Sequence, residues 1–85
     1  MPPAAENELR VLRAIVGALR VERQLSQYDV GLAGGLKHKY VGQLERGRLA
    51  PSFRALVGVA RGLGMTPAEF FRRLADALEA AEKRV

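Results

Sequence analysis

The chain has 85 residues, of which 48% are hydrophobic, and a formal net charge of +5. This length predicts one domain over residues 1–85, with enough apolar residues for a packed core. The absence of cysteine excludes disulfides, thiolate metal sites and thiol nucleophiles, and it agrees with a reducing cytoplasm. No apolar run approaches the roughly 20 residues that cross a bilayer, and the start Met1–Glu6 lacks the features of a signal peptide. We therefore expect a cytoplasmic protein without a membrane segment.

The positive charge is concentrated in the stretch from Lys37 to Arg61, which contains six basic residues and one acidic residue. The rest of the chain carries eight residues of each sign and is neutral overall. A basic segment within a neutral chain is typical of a surface that binds a polyanion. On charge alone, an ordinary solvated surface is an equally good interpretation.

The spacing of apolar residues predicts five helices and no strand. The first helix is expected over Glu8–Gln24. Ser26 is then an N-cap for a second helix, because its hydroxyl can accept from free backbone N–H groups, and Asp29 completes a capping box. The second helix is expected to run to about Ala33, where two glycines end it.

The third helix is expected over Lys37–Arg46, followed by Gly47. Ser52 caps the fourth helix, which ends near Leu63. Its apolar residues follow helical spacing, namely Phe53, Leu56, Val57 and Ala60.

The fifth helix has the clearest start in the chain. Thr66 is its N-cap, Pro67 is its first residue and Glu69 completes a capping box. The helix is expected over about residues 67–80, with a charged tail after Leu78 that frays.

Residues 27–46 have the organisation of a helix-turn-helix, with two short helices joined by a three-residue turn. Gly35 supplies the positive φ that such a turn needs, and Gly31 is small where the two helices approach. The third helix is expected to enter the major groove of DNA. Its outer face should carry Lys37, His38, Lys39, Gly42, Gln43 and Arg46.

The sequence resembles the Cro-like or XRE-like helix-turn-helix regulators of bacteria and phages. The resemblance covers roughly Leu9–Phe71. It implies an all-α fold, a compact five-helix lambda-repressor-like domain that binds double-stranded DNA. The residues that carry it are Arg20, Leu25–Gln27, Gly35, Tyr40–Arg48 and Pro51–Ser52, extended by Leu56, Ala60, Leu63 and Gly64.

The resemblance implies roles for individual residues at the start of the motif. Gln27, at the start of the second helix, corresponds to a residue that contacts a phosphate and braces the recognition helix. Lys37, His38 and Lys39 occupy positions that meet bases or the adjacent backbone.

It also implies roles at the end of the third helix. Gln43 matches a further groove-facing position, and Arg46 and Arg48 correspond to phosphate contacts. Arg20 and Glu45 match a pair that forms a partly buried salt bridge between the first and third helices.

Three polar residues have competing interpretations. Tyr40 is either a phosphate-contacting hydroxyl or an ordinary packing residue. His38 is the sole histidine and has no evident ligand spacing to acidic residues, so a DNA contact is favoured over an idle surface position. Gln43 is favoured as a base reader over a plain polar helix residue. No metal and no other cofactor is expected.

Two glycines depart from the family pattern. Gly31 stands where alanine is commoner, and Gly34 stands where a larger residue usually packs. An internal glycine costs ~0.5–1 kcal/mol relative to alanine. The second helix is therefore expected to be short, or mobile until DNA orders it.

The fifth helix has more apolar width than a small core needs. Either all of it packs internally, or one face forms a two-fold dimer interface, as the resemblance to the restriction-modification controller branch implies. A dimer of this kind would read a palindromic site. The candidate interface residues are Phe70, Phe71, Leu74 and Leu78.

The favoured function is a sequence-specific transcriptional regulator that acts as a homodimer and is not an enzyme. The alternative is a protein-interaction module, antitoxin-like or adaptor, that binds a partner protein through the fifth helix. A phosphate loop, a nucleophile–base arrangement and a metal cluster are all missing from the sequence. A membrane-surface helix is disfavoured because Gly47 and Pro51 interrupt the basic segment. The operator, the direction of regulation and the choice between controller, antitoxin and phage-type repressor stay open.

Overall fold

The computed structural model describes residues 5–83. Five α-helices form there, α1 (Glu6–Glu22), α2 (Gln27–Ala33), α3 (Tyr40–Glu45), α4 (Phe53–Gly62) and α5 (Pro67–Glu82). The predicted all-α, five-helix fold is confirmed, and no strand occurs within this described range. No helix in it is long and apolar enough to cross a membrane.

Side-chain caps define the starts of three helices. The Ser26 hydroxyl accepts from the Asp29 backbone N–H at 2.9 Å, and the Asp29 carboxylate accepts from the Ser26 N–H at 3.0 Å. Thr66 and Glu69 form the same reciprocal pair at the start of α5. Ser52 caps α4 through the Ala55 N–H. These bonds satisfy backbone donors that the first helical turn leaves free.

The core lies where one face of each helix meets the others. Its largest fully enclosed side chains come from all five helices and from the loop between α4 and α5. Burying each of them stabilises the fold by roughly 1.5–3 kcal/mol. They are Phe70, Leu19, Leu44, Leu63, Val16, Val30, Val41 and Val59.

The helices α2 and α4 cross with their backbones in close approach. A Cβ atom added at Gly34 would lie 2.1 Å from the Gly58 carbonyl oxygen, and one added at Gly62 would lie 2.1 Å from the Val30 carbonyl oxygen. Real side chains do not reach such distances. This chain therefore needs glycine at position 34 for the crossing, which accounts for its departure from the family pattern there.

Three predicted helix boundaries are wrong by a turn or less. Helix α1 runs Glu6–Glu22 where Glu8–Gln24 was expected, and it ends as Gln24 takes a positive φ of 58°. Helix α5 was expected to end near residue 80 with a tail that frays after Leu78, but the helix continues to Glu82. The last two residues of the expected tail lie outside the described residues.

The third boundary matters for function, because α3 begins at Tyr40 and not at Lys37. Lys39 precedes it with φ 69° and offers no side-chain cap. The connection from α2 therefore spans residues 34–39, twice the expected three-residue turn. No residue in the described stretch 36–39 is a Ser, Thr, Asn or Asp, the types that stabilise a helix start.

Candidate nucleic-acid interface

The turn between α2 and α3 is closed by backbone hydrogen bonds. Gly35 adopts φ 69°, as predicted, which brings the Leu36 N–H to the Gly31 carbonyl oxygen at 2.8 Å. Leu36 then packs toward α4, since a Cβ on Gly58 would lie 3.0 Å from its Cδ2 atom. The turn is thereby anchored to the core, which fixes where the following residues emerge.

A hydrogen-bonded group of three side chains joins α1, α2 and α3. Arg20 donates from Nε to Glu45 Oε2 at 2.8 Å and from Nη2 to Glu45 Oε1 at 3.1 Å. Gln27 Nε2 donates to the same Glu45 Oε1 at 3.1 Å, and Arg20 Nη1 donates to the Leu25 carbonyl oxygen at 3.0 Å. The side chains of Arg20 and Glu45 are only 19% and 14% exposed.

The electrostatics of this group follow from its geometry. The hydrogen bond to Glu45 raises the pKa of Arg20, against a smaller opposing effect of burial. A two-point arginine–carboxylate pair fixes orientation as well as distance. The pair therefore holds the C-terminal end of α3 at a set angle to α1.

Gly42 does not belong to the outer face of α3, contrary to the sequence interpretation. It is buried because the side chains of Gln27 and Arg46 cover it. A Cβ there would lie 2.9 Å from Gln27 Oε1 and 3.3 Å from Arg46 Nη2. The missing side chain lets Gln27 reach Glu45 while Arg46 folds back along α3.

Six of the predicted contact residues are exposed. We call the following exposed set the recognition surface: Lys37, His38, Lys39, Gln43, Arg46 and Arg48. Its first three members emerge from the turn before α3 and not from the helix itself. Tyr40 is partly buried, and burial raises the pKa of its phenol.

A groove of about 460 Å³ separates α2 from the turn and α3. Lys37, His38, Lys39 and Arg46 lie along it, together with Tyr28 and Leu32 of α2. Tyr28 is 63% exposed and Leu32 is 68% exposed. Sequence reasoning missed these two residues, although their four-residue spacing on a short helix places them on one face. Within residues 5–83 no group of three or more metal-ligating side chains gathers.

The candidate dimer residues have different environments. Phe70 is fully enclosed in the core of its own chain, so it is not available to a partner and its inclusion was wrong. Phe71, Leu74 and Leu78 are partly buried. They recur at three- and four-residue spacing and line one side of α5.

Phe53 follows the helical spacing of the apolar residues of α4, but its side chain is 71% exposed. Its ring stacks on Phe71 with centroids 5.5 Å apart and an interplanar angle of 2°. Phe71 in turn meets the buried Phe70 edge to face at 5.6 Å. A series of contacting rings thus runs from the buried Phe70, through Phe71 on α5, to the exposed Phe53 at the start of α4.

A capped helix, a glycine turn anchored to the core and a second short helix flanked on both sides by exposed cations define a DNA-binding domain of the helix-turn-helix class. The helix-turn-helix family model matches residues 16–70, which is more than half of the chain. The protein belongs to this family, in its Cro/C1-type or XRE-like branch of DNA-binding transcription regulators.

Solved structures share the fold. The wild-type restriction-modification controller protein C.Esp1396I matches with a TM-score of 0.75 and 21% identity, over 84% of this chain and 93% of that one. A variant of the same controller matches with a TM-score of 0.77 and 20% identity, over 86% and 97%. The clp gene regulator ClgR from Corynebacterium glutamicum matches with a TM-score of 0.69 and 26% identity, over 91% and 84%. Comparison with curated proteins gives no significant sequence match.

Proposed function

We propose that the protein is a sequence-specific transcription regulator that binds a palindromic operator in the cytoplasm as a homodimer. In this proposal residues 1–85 form one DNA-binding domain, with α5 as its dimerisation element. The observation that carries the proposal is the hydrogen-bonded group of Arg20, Gln27 and Glu45. It sets α3 rigidly beside α2 while six polar or basic side chains of the recognition surface stay exposed.

The recognition surface divides into two kinds of contact. Lys37, His38 and Lys39 precede α3 and would reach base edges or the neighbouring backbone, and Gln43, one turn further on, would read a base. Arg46 and Arg48 lie at the other end of α3 and would hold phosphates, which position a protein without reading sequence. Gln27 and Tyr40 are assigned to contacts with the phosphate backbone of DNA.

Gln27 has a structural role in the free protein, since its amide nitrogen donates to Glu45. One N–H and the amide oxygen remain for DNA. The same side chain is thereby oriented before DNA arrives, which lowers the entropic cost of a phosphate contact.

The homodimer would form through the apolar side of α5 and the start of α4. Phe71, Leu74 and Leu78 provide a continuous row, and Phe53 widens it through its stacking on Phe71. A phenyl ring that is mostly exposed in the monomer gains most from burial against a second copy. To read two half-sites one turn of DNA apart, this dimer would have to hold its two α3 helices about 34 Å apart.

The same aromatic surface favours a second candidate function. A partner protein of different sequence would also gain from covering Phe53 and Phe71, as in an adaptor or antitoxin-like module. In that case the recognition surface would be unnecessary for the interaction.

Selection of bound duplexes from a random DNA library, read by sequencing, tests the proposed function. We expect enrichment of a palindrome whose half-site centres are about 10 base pairs apart. Weak, salt-sensitive binding with no enriched sequence would contradict specific regulation, because it would reduce the recognition surface to an electrostatic anchor.

A further inference from the structure

Arg13 of α1 lies against the loop that follows α3. A Cβ built on Gly47 would lie 3.0 Å from Arg13 Cζ and 3.1 Å from its Nε and Nη1 atoms. Gly47 has φ 76°, a conformation that suits glycine. Both properties of Gly47, its lack of a side chain and its backbone angle, allow a guanidinium to lie flat on this backbone.

The guanidinium of Arg13 has no anionic partner in the part of the chain that the structure describes. No side-chain hydrogen bond or salt bridge involves it within residues 5–83. Glu45, the one acid of α3, already accepts from Arg20 and Gln27. Arg13 is nevertheless partly buried, and removing a cation from water without pairing it costs free energy.

The surroundings of Arg13 are cationic. Arg46 and Arg48 flank Gly47 in the sequence, and both are exposed. The Arg48 N–H donates to the Gln43 carbonyl oxygen at 2.9 Å, which ties this loop to α3. Arg13 therefore lies beside a loop that carries two further cations and follows the C-terminal end of α3.

We propose that Arg13 binds a backbone phosphate of DNA at the edge of each half-site, a contact that the sequence did not indicate. This inference rests on the proposed function and adds a residue of α1 to it. A phosphodiester is the anion that the geometry favours, because a guanidinium held flat presents its N–H groups in a fixed fork. Gly47 positions Arg13, and the phosphate completes the charge balance that the protein lacks.

The test measures affinity for a duplex of mixed sequence by fluorescence anisotropy over a series of KCl concentrations. A phosphate contact contributes about 0.9 to the slope of log affinity against log salt. We expect Arg13→Gln to lower this slope by about 0.9 per protomer, or about 1.8 for a homodimer. Arg13→Lys keeps the charge and should keep most of the slope.

Arg72→Gln is the matched control, since it removes the same charge from an exposed site on α5, beside Glu69. Its slope should stay close to that of the wild type. An Arg13→Gln variant with a lowered melting temperature and an unchanged slope would overturn the inference, because Arg13 would then only support the loop. Wild-type protein that binds no DNA would remove the proposed function and this inference together, whereas tight binding with an unchanged slope removes the inference alone.

Discussion

Arg20 and Glu45 are joined by two hydrogen bonds, Nε to Oε2 at 2.8 Å and Nη2 to Oε1 at 3.1 Å, across a separation of 25 residues in the chain. This pair links α1 to the C-terminal end of α3. Because Gln27 shares the same carboxylate, the orientation of α2 and α3 depends on one acidic side chain.

Replacing Glu45 with alanine should destabilise the fold before it affects DNA contacts. The change leaves the partly buried Arg20 without its partner and removes the acceptor for Gln27. We expect the free energy of unfolding to fall by about 3 kcal/mol. Thermal melting followed by circular dichroism measures it, with Glu79→Ala at an exposed position of α5 as the control. A Glu45→Ala melting temperature equal to that of wild type would show that the pair does not stabilise the domain.

Stability should fall in acid through the two capping carboxylates. Hydrogen bonds from Ser26 lower the pKa of Asp29 below 3.8, and hydrogen bonds from Thr66 lower the pKa of Glu69 below 4.5. A lowered folded pKa means that the unfolded chain takes up protons first. The stability that the two ionised carboxylates contribute is therefore complete at neutral pH. It is lost as the pH falls below 4.5 and 3.8 toward the lower pKa values that Glu69 and Asp29 have in the folded protein.

Melting temperatures measured across this acid range test the capping effect. The double variant Asp29→Asn, Glu69→Gln should be less stable than wild type at neutral pH, and its melting temperature should depend less on pH. If wild type and variant lost stability in parallel as the pH fell, other carboxylates would have to be responsible.

Two glycines of α2 and its C-cap should respond to alanine in opposite directions. At Gly34 a Cβ would meet the Gly58 carbonyl oxygen at 2.1 Å, whereas at Gly31 it would meet Val41 Cγ2 at an ordinary 3.8 Å. We expect Gly34→Ala to lower the free energy of unfolding by roughly 1–3 kcal/mol or more, because the added methyl group overpacks the crossing. Gly31→Ala should gain up to ~1 kcal/mol of helix propensity. Urea unfolding compares them, and a Gly34→Ala protein as stable as wild type would disprove the close crossing of α2 and α4.

Substitutions of Phe53 in α4 and Phe70 in α5 should separate the effect on assembly from the effect on folding. Phe53→Asp removes a ring that is 71% exposed, so the monomer should stay folded while sedimentation shifts from dimer to monomer. Phe70→Ala should instead lower the free energy of unfolding by about 3–5 kcal/mol, because it leaves a cavity in the core. Val21→Asp, at another exposed apolar position, is the control for added charge. A Phe53→Asp protein that sediments as a dimer would place the interface elsewhere.

Charge reversal at Lys37 and Lys39 distinguishes the two candidate functions. Both side chains are exposed, so the double variant to glutamate should fold normally. Under the proposed function it loses binding to the selected duplex in a gel-shift assay, because two attractive contacts with DNA become repulsive. Retained DNA binding would contradict the assignment of these residues, while retained binding of a partner protein would favour the adaptor function.

The starts of α2, α4 and α5 were predictable from the sequence because capping is local. A Ser or Thr hydroxyl satisfies backbone donors within a single turn at all three starts, and an acid three residues later does so at α2 and α5. Positive φ at Gly35 is local in the same sense, since glycine has no Cβ to oppose it. The family resemblance added the pairing of Arg20 with Glu45, which spacing alone does not reveal.

Other features were decided only by tertiary structure. Gly34 alone predicts a weaker end of α2, but in the fold the close approach of Gly58 of α4 requires it. Phe53 follows the apolar spacing of α4, but in the fold it is exposed and stacks on Phe71. Leu36 packs against the core and Lys39 has a φ of 69°, so the residues before Tyr40 are not helical although their spacing predicted a helix from Lys37. Backbone capping acts over three or four residues, so sequence determines it. Crossing distances, enclosure and exposure depend on residues brought together from distant parts of the chain, so only the folded structure determines them.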